Sequence, residues 1–220
     1  MSNASTLVFR EEDHSYWIGE PDIGQRLTSA TQVIQGVGLS ETKYYTAGSA
    51  ERGTFIHKAT ELYDRPDVGL DEEELDKGIV PYLNAYKRFS RDCNPHWVGI
   101  ERPLHDPQLL IAGTIDRIGF ISPGKKKERV VLDIKSGSPR SWHCLQLACY
   151  QHLVTRDLLL SGVAKQSTTS KPMVDRYALY LRKSGRYKLV KFTEAKDIAV
   201  FMSAHALLTW MNANGVKPKG

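Results

Sequence analysis

The chain has 220 residues, a formal net charge of +5, 41% hydrophobic residues and 25% charged residues. That balance excludes a disordered or fibrous polypeptide and leaves enough apolar material for a sizeable core. No apolar run approaches the roughly 20 residues that span a bilayer. The N-terminus lacks the basic-then-apolar pattern of a secretory signal, so a cytoplasmic protein with no membrane partner is expected. The basic excess suits a polyanionic partner without requiring one. Cys93, Cys144 and Cys149 form no C-x-x-C pair, and their odd number argues against a disulfide framework.

In chain order, LVFREEDHSYWIG alternates as a hairpin with Glu11, Glu12 and Asp13 at its turn. LTSATQVIQGVG follows as a short helix, capped by Thr28 or Ser29 and stopped by Gly36 or Gly38. From Ser49 to Tyr63 the apolar residues Phe55, Ile56, Ala59, Leu62 and Tyr63 recur at helical spacing. The polar connection DVGLDEEELDKG leads to a second helix, IVPYLNAYKRFSRD, with Pro81 in its first turn. Three strands then form a meander: HWVGIERPLH, LLIAGTIDRIGFI and ERVVLDIKSG, the last two joined by SPGKKK. SWHCLQLACYQHLVTRDLLL is helical with Ser141 as its cap, and DRYALYLRKSGRYKLVKF is a hairpin turning at Lys183, Ser184 and Gly185. A last helix starts after Thr193 and stops near Gly215. The pattern predicts an α/β protein, a mixed central β-sheet flanked by helices. It is read as a single domain over 1–220: an N-terminal hairpin and helix (1–48), a core (49–192) and a C-terminal helix (193–220).

The strand ERVVLDIKSG carries two charges where a core strand should be apolar. Side chains alternate faces along a strand, so Asp133 and Lys135 point one way while Leu132 and Ile134 fill the core. A buried carboxylate needs a cation or hydrogen-bond donors, and Lys135 is one candidate. A hairpin across SPGKKK sets Asp116 beside Asp133, and two adjacent carboxylates suit a hard divalent cation, which takes oxygen ligands. His57 and Glu61 lie one helical turn apart on one face, where an imidazole can reach the same point. Gln146 and Tyr150 likewise share a helix face, able to hold Lys135 or to meet a phosphate backbone.

In this order, G-x-x-x-H (Gly53 to His57), GTID ending at Asp116, DIK (Asp133 to Lys135) and QLACY (Gln146 to Tyr150) resemble the PD-(D/E)XK phosphodiesterase superfamily, in particular its RecB-like and phage-type exonuclease branch. The resemblance spans about residues 50–190 and implies a restriction-endonuclease-like α-β-β-β-α-β core. It implies a Mg²⁺- or Mn²⁺-dependent deoxyribonuclease, an exonuclease, acting in DNA recombination, repair or phage replication. His57, Asp116, Asp133 and the backbone carbonyl of Ile134 would hold the metal. Lys135 would be the catalytic lysine, with Asp116, Asp133, Gln146, Tyr150 and Glu61 completing the catalytic set. Glu101 sits where related proteins often carry an acidic strand residue. Lys125, Lys126, Lys127, Arg140, Arg182, Lys183 and Arg186 are candidates for holding DNA. Related nucleases with an iron–sulfur cluster use four cysteines, one before the core and three after it, so no cluster is expected here. DNA and recombination or replication proteins are the implied partners, with the oligomeric state left open. A catalytically inactive nucleic-acid-binding module on the same fold, and a hydrolase of a small phosphoester, use the same residues.

Overall fold

The computed structural model describes residues 6–40, 47–163 and 173–217; the rest of the predicted extension, the side chains of Ala47 and Ser49, residues 164–172 and both chain ends lie outside the described residues. Thirteen elements are described, and eight strands form one mixed sheet. The hairpin β1 (Leu7–Arg10) and β2 (Ser15–Ile18) is followed by β3 (Gln25–Ser29) and α1 (Ala30–Gly36). Two helices, α2 (Ala47–Asp64) and α3 (Val80–Cys93), precede the meander β4 (His96–Asp106), β5 (Ile111–Ile121) and β6 (Glu128–Lys135). Then come α4 (His143–Leu160), the hairpin β7 (Asp175–Leu181) and β8 (Tyr187–Phe192), and α5 (Asp197–Ala213). The helix, three strands, helix, strand order expected of the core is present, and helices pack on both faces of the sheet. Among the described residues no helix is long and apolar enough to cross a membrane.

Three boundaries differ from the sequence expectation. Leu27 and Thr28 are strand rather than helix, because β3 pairs with β5 in parallel, Thr28 with Ile111 and Ser29 with Ala112. Ser29 is indeed the cap: its hydroxyl accepts from the Gln32 amide while Gln32 accepts from the Ser29 amide, a reciprocal capping box. Ser141 does not cap α4, which starts at His143 with no side-chain cap; the Ser141 carbonyl instead accepts from the Cys144 thiol. The last helix starts at Asp197, after a turn in which the Asp197 amide donates to the Glu194 carbonyl.

The sheet order is β1-β2-β3-β5-β6-β7-β8, with β4 on the other edge of β5. Because β4 runs along β5 from Ile111 to Phe120, β3 and β6 must share the opposite edge. On that edge β3 holds Ile111 and Ala112, β6 holds Arg117 to Ile121, and Gly113 to Asp116 lie between. The sheet therefore forks at Gly113–Asp116, and the N-terminal hairpin is part of the sheet rather than an appendage. One core, with Val33, Ile34, Leu147 and Phe201, packs α1, α4 and α5 on one face. The other, with Ile56, Tyr86, Phe89, Leu132 and Ile134, packs α2 and α3 on the opposite face. Burying these two layers supplies the driving force at about 25 cal/mol per Å² of apolar surface.

Candidate active site

The fork opens a cleft of about 1050 Å³ whose floor is the ends of β5 and β6. The hairpin forms one wall through Phe9, His14 and Tyr16, and α2 forms another through Arg52 and His57, extended by Arg65 just past its end. Tyr16 and Thr114 share a hydrogen bond of 2.9 Å between their hydroxyls, tying the wall to the floor.

At the fork the Ile134 amide has no ladder partner on β5 and donates instead to Asp116 Oδ2 at 2.6 Å. A strand amide freed from the ladder thus holds a buried carboxylate. From α2, His57 Nε2 donates to the Ile134 carbonyl at 3.0 Å. A carbonyl only accepts, so Nε2 carries the proton and Nδ1 faces the acids: Asp116 Oδ2 at 3.6 Å and Glu101 Oε1 at 3.7 Å. Burial lowers the His57 pKa, but Asp116 and Glu101 outweigh it and raise it to about 9. Asp116 is pushed up by burial, partly offset by His57 and reinforced by Glu101. One ligand atom each from His57, Glu101 and Asp116 lie within 4.8 Å of one another. Either a second proton on His57 or a cation must balance this set.

Glu101 is placed by strain and by a buried arginine. Its φ is +45°, a left-handed conformation unusual for a non-glycine residue, next to the irregularity in β4 pairing between Trp97 and Gly99. Arg117, fully buried on the other side of β5 from Asp116, donates to Glu101 at 3.1 Å, to Asp64 at 2.6 Å and to the Asp116 carbonyl at 2.7 Å. Tyr86 donates to the same Asp64 oxygen at 2.5 Å. Burial works against the Arg117 charge, yet Tyr86, Asp64 and Glu101 together keep it protonated.

Beside this pocket, Lys135 Nζ straddles Asp133, 3.0 Å from Oδ1 and 2.8 Å from Oδ2, and donates to Gln146 Oε1 at 2.9 Å. Gln146 Nε2 then donates to the Tyr150 hydroxyl at 3.0 Å. Asp133 Oδ2 has the ammonium close by but no directed hydrogen bond. Burial raises the Asp133 pKa to about 6, with Lys135 opposing and Asp116 reinforcing. Gly113 makes room for Tyr150: a Cβ there would lie 2.7 Å from the ring. His143 also lines the cleft. Its Nδ1 accepts from the Arg140 amide at 3.3 Å and meets the Tyr180 hydroxyl at 2.8 Å. Burial, then Lys135 and Arg140, push its pKa down to about 3, so it is neutral at physiological pH.

The structure thus brings His57, Asp116, Asp133, Lys135, Gln146 and Tyr150 together, and separates others. Glu61 lines the cleft one helical turn beyond His57 and is paired with Lys58 at 3.1 Å and Arg65 at 3.4 Å. The Ile134 carbonyl is engaged by His57. Asp133 lies outside the three-residue donor set and is paired with Lys135. Arg140 lines the cleft. Lys125, Lys126 and Lys127 precede Glu128, at the opposite end of β6 from Lys135, roughly 20 Å away at the strand rise per residue. They do not belong to the cleft. Arg182, Lys183 and Arg186 sit on the β7–β8 turn, at the same end as Lys135, since β7 runs parallel to β6 with Tyr180 beside Lys135. Sequence reasoning gave no place to Arg117, His143 or the hairpin wall. For Arg117 the available signal was a second charge within an otherwise apolar strand, adjacent to Asp116.

Fold and site together define a mixed α/β protein with an imidazole–dicarboxylate donor set next to a held ammonium. No family model and no curated protein matches the chain. Among solved structures, the crystal structure of a "Putative exonuclease" from Eubacterium rectale is similar at a TM-score of 0.49 and 12% identity, over 88% of this chain and 84% of that one.

Proposed function

We propose that this chain is a divalent-cation-dependent deoxyribonuclease of the PD-(D/E)XK type, working as an exonuclease. The observation that carries the reading is the convergence of His57, Glu101 and Asp116 within 4.8 Å, next to a Lys135 ammonium held by Asp133 and Gln146. The donor set fits a hard cation. His57 presents Nδ1 because Nε2 is spent on Ile134, and two carboxylates supply oxygen ligands and the compensating charge. Mg²⁺ or Mn²⁺ held by His57, Glu101 and Asp116 would supply Lewis acidity, lowering the pKa of a bound water and offsetting charge that grows on a phosphate.

The chain's own residues supply the rest. Lys135 is fixed in position by Asp133, Gln146 and, through Gln146, Tyr150, so its N–H groups are already aimed when substrate arrives. A fixed donor that needs no reorganisation stabilises a developing oxyanion more than a mobile one. Asp133 lies 2.8 Å from the amine. Arg52, Arg65 and Arg140 line the cleft around the acidic centre and attract a phosphodiester backbone. Arg117 holds Glu101, one member of the donor set, in place from below.

The test is cleavage of end-labelled single- and double-stranded DNA with Mg²⁺, Mn²⁺ or chelator, comparing the wild type with Lys135→Ala. Cleavage that needs the cation and falls at least about 100-fold in the variant, with a cooperative thermal transition and the cation's stabilising effect retained, is the expected result. Equal rates in both proteins, or binding without turnover in either metal, overturns the reading.

A further inference from the structure

Away from the cleft, a shallow groove of about 650 Å³ runs between α3 and the β7–β8 turn, lined by Asn84, Lys87, Arg88 and Arg91 of α3 and by Lys183 and Ser184 of the turn. The helical repeat puts the four α3 residues on one face, and the turn is pinned against the helix start. The turn is closed by the Arg182 amide donating to Arg186 at 2.9 Å and the Gly185 amide donating to Arg182 at 3.0 Å. Gly185 has φ +70°, and a Cβ there would approach the Pro81 carbonyl at 3.9 Å.

The charges in the groove are not balanced. Lys87 is paired with Glu72 and lies over the Tyr63 ring. Arg88, Arg91 and Lys183 are exposed, and none of them has an acidic partner within ion-pair distance among the described residues. Asp92, the acid nearest in sequence, accepts from Tyr187 at 2.8 Å. Three unpaired cations converging from two elements on a concave surface hold a polyanion better than a solvated face does, because each neutralised phosphate releases counterions.

We propose that this groove is a second phosphate-backbone site, which holds a single-stranded nucleic acid where it continues beyond the catalytic cleft. The topology supplies the path: β7 leaves the site end of the sheet beside Lys135 and turns directly into Lys183, and α2 borders both features, the cleft through Arg52 and His57 and the groove through Tyr63. The inference rests on the nucleic-acid reading above and adds where the strand lies. Arg88 and Arg91 act as binding residues distant from the chemistry.

The experiment is fluorescence anisotropy in chelator, where no cleavage occurs, with single-stranded DNA of roughly 20 nucleotides and of roughly 4 nucleotides, across a salt series. Arg88→Glu/Arg91→Glu is compared with Lys196→Glu/Lys217→Glu, which makes the same change in net charge on the exposed loops flanking α5, on the sheet face opposite α3. Arg88→Gln/Arg91→Gln, checked by thermal melting, serves if charge reversal disturbs α3. The α3 variant is expected to lose at least about tenfold in affinity for the long strand, with a salt slope lower by about 1.4, two contacts at about 0.7 each. Its advantage of long over short strands shrinks by a similar factor. The loop variant changes by less than about twofold. Equal losses in both variants, or none in the α3 variants, overturn the groove while leaving the nuclease reading intact. A wild type that binds neither strand overturns both.

Discussion

Asp133→Asn separates stability from function at this site. The carboxylate is 2% exposed, and burial, opposed by Lys135 and reinforced by Asp116, raises its pKa to about 6 from the ordinary 3.8. With one pKa unit worth about 1.4 kcal/mol, holding Asp133 ionised in the folded protein at pH 7 costs up to about 3 kcal/mol. The sign follows from proton counting. Between about pH 4 and pH 6 the folded protein binds more protons at this residue than the unfolded chain, so its contribution to stability falls as pH rises through that window. Asparagine keeps the shape, can still accept from Lys135 and carries no charge. In chelator at pH 7 the variant should therefore be more stable by about 1–3 kcal/mol, a rise of roughly 3–10 °C in melting temperature for a chain of this size. The gain should vanish near pH 4, where the wild-type carboxyl is itself protonated. DNA cleavage with Mn²⁺ should meanwhile fall at least about 100-fold. The assay is thermal unfolding at pH 4, 5, 6 and 7 alongside cleavage. A variant less stable than wild type at pH 7, or a stability difference that does not change with pH, refutes the electrostatic account of Asp133.

Arg117→Met tests the buried support beneath Glu101. Removing the guanidinium leaves Asp64 and Glu101 uncompensated and should cost about 3–5 kcal/mol in urea unfolding, with a loss below about 1 kcal/mol counting against the network. Gly113→Ala brings a methyl against Tyr150 and should cost about 1–3 kcal/mol by melting, with slower cleavage as the ring shifts off Gln146. In a Tyr150→Ala background the same methyl should add nothing, and an equal cost in both backgrounds refutes the contact.

The helices and the meander were legible because their apolar spacing is regular, and α3 and β4 to β8 lie within a few residues of the pattern. β3 was not, since Gln25–Ser29 is a five-residue strand whose only ladder to the central sheet joins two residue pairs far apart in sequence. Lys135, Asp133, Gln146 and Tyr150 could be grouped from strand alternation and helix spacing, which are local rules. Glu101 and Arg117 lie on β4 and β5 in registers that only tertiary structure fixes, and Glu101 additionally needs a left-handed backbone that no local pattern announces. Glu61 follows from His57 by helical spacing and lines the same cleft, while its pairing with Lys58 and Arg65 is not announced by that spacing.

Asp116 and Arg117 are neighbours on β5, one facing the cleft and the other the helical layer behind it. Sliding this strand by a single position would invert the arrangement, setting a guanidinium where an anion is required and hiding an acid among tyrosines. β3, β4 and β6 all fasten to β5, with the β3 ladder at Ile111–Ala112 and the β6 ladder from Arg117 onward, so the strand is held just before and just after the fork that opens at Asp116. The polarity of the pocket is in that sense an alignment property, guarded by three partners rather than by the charged residues themselves.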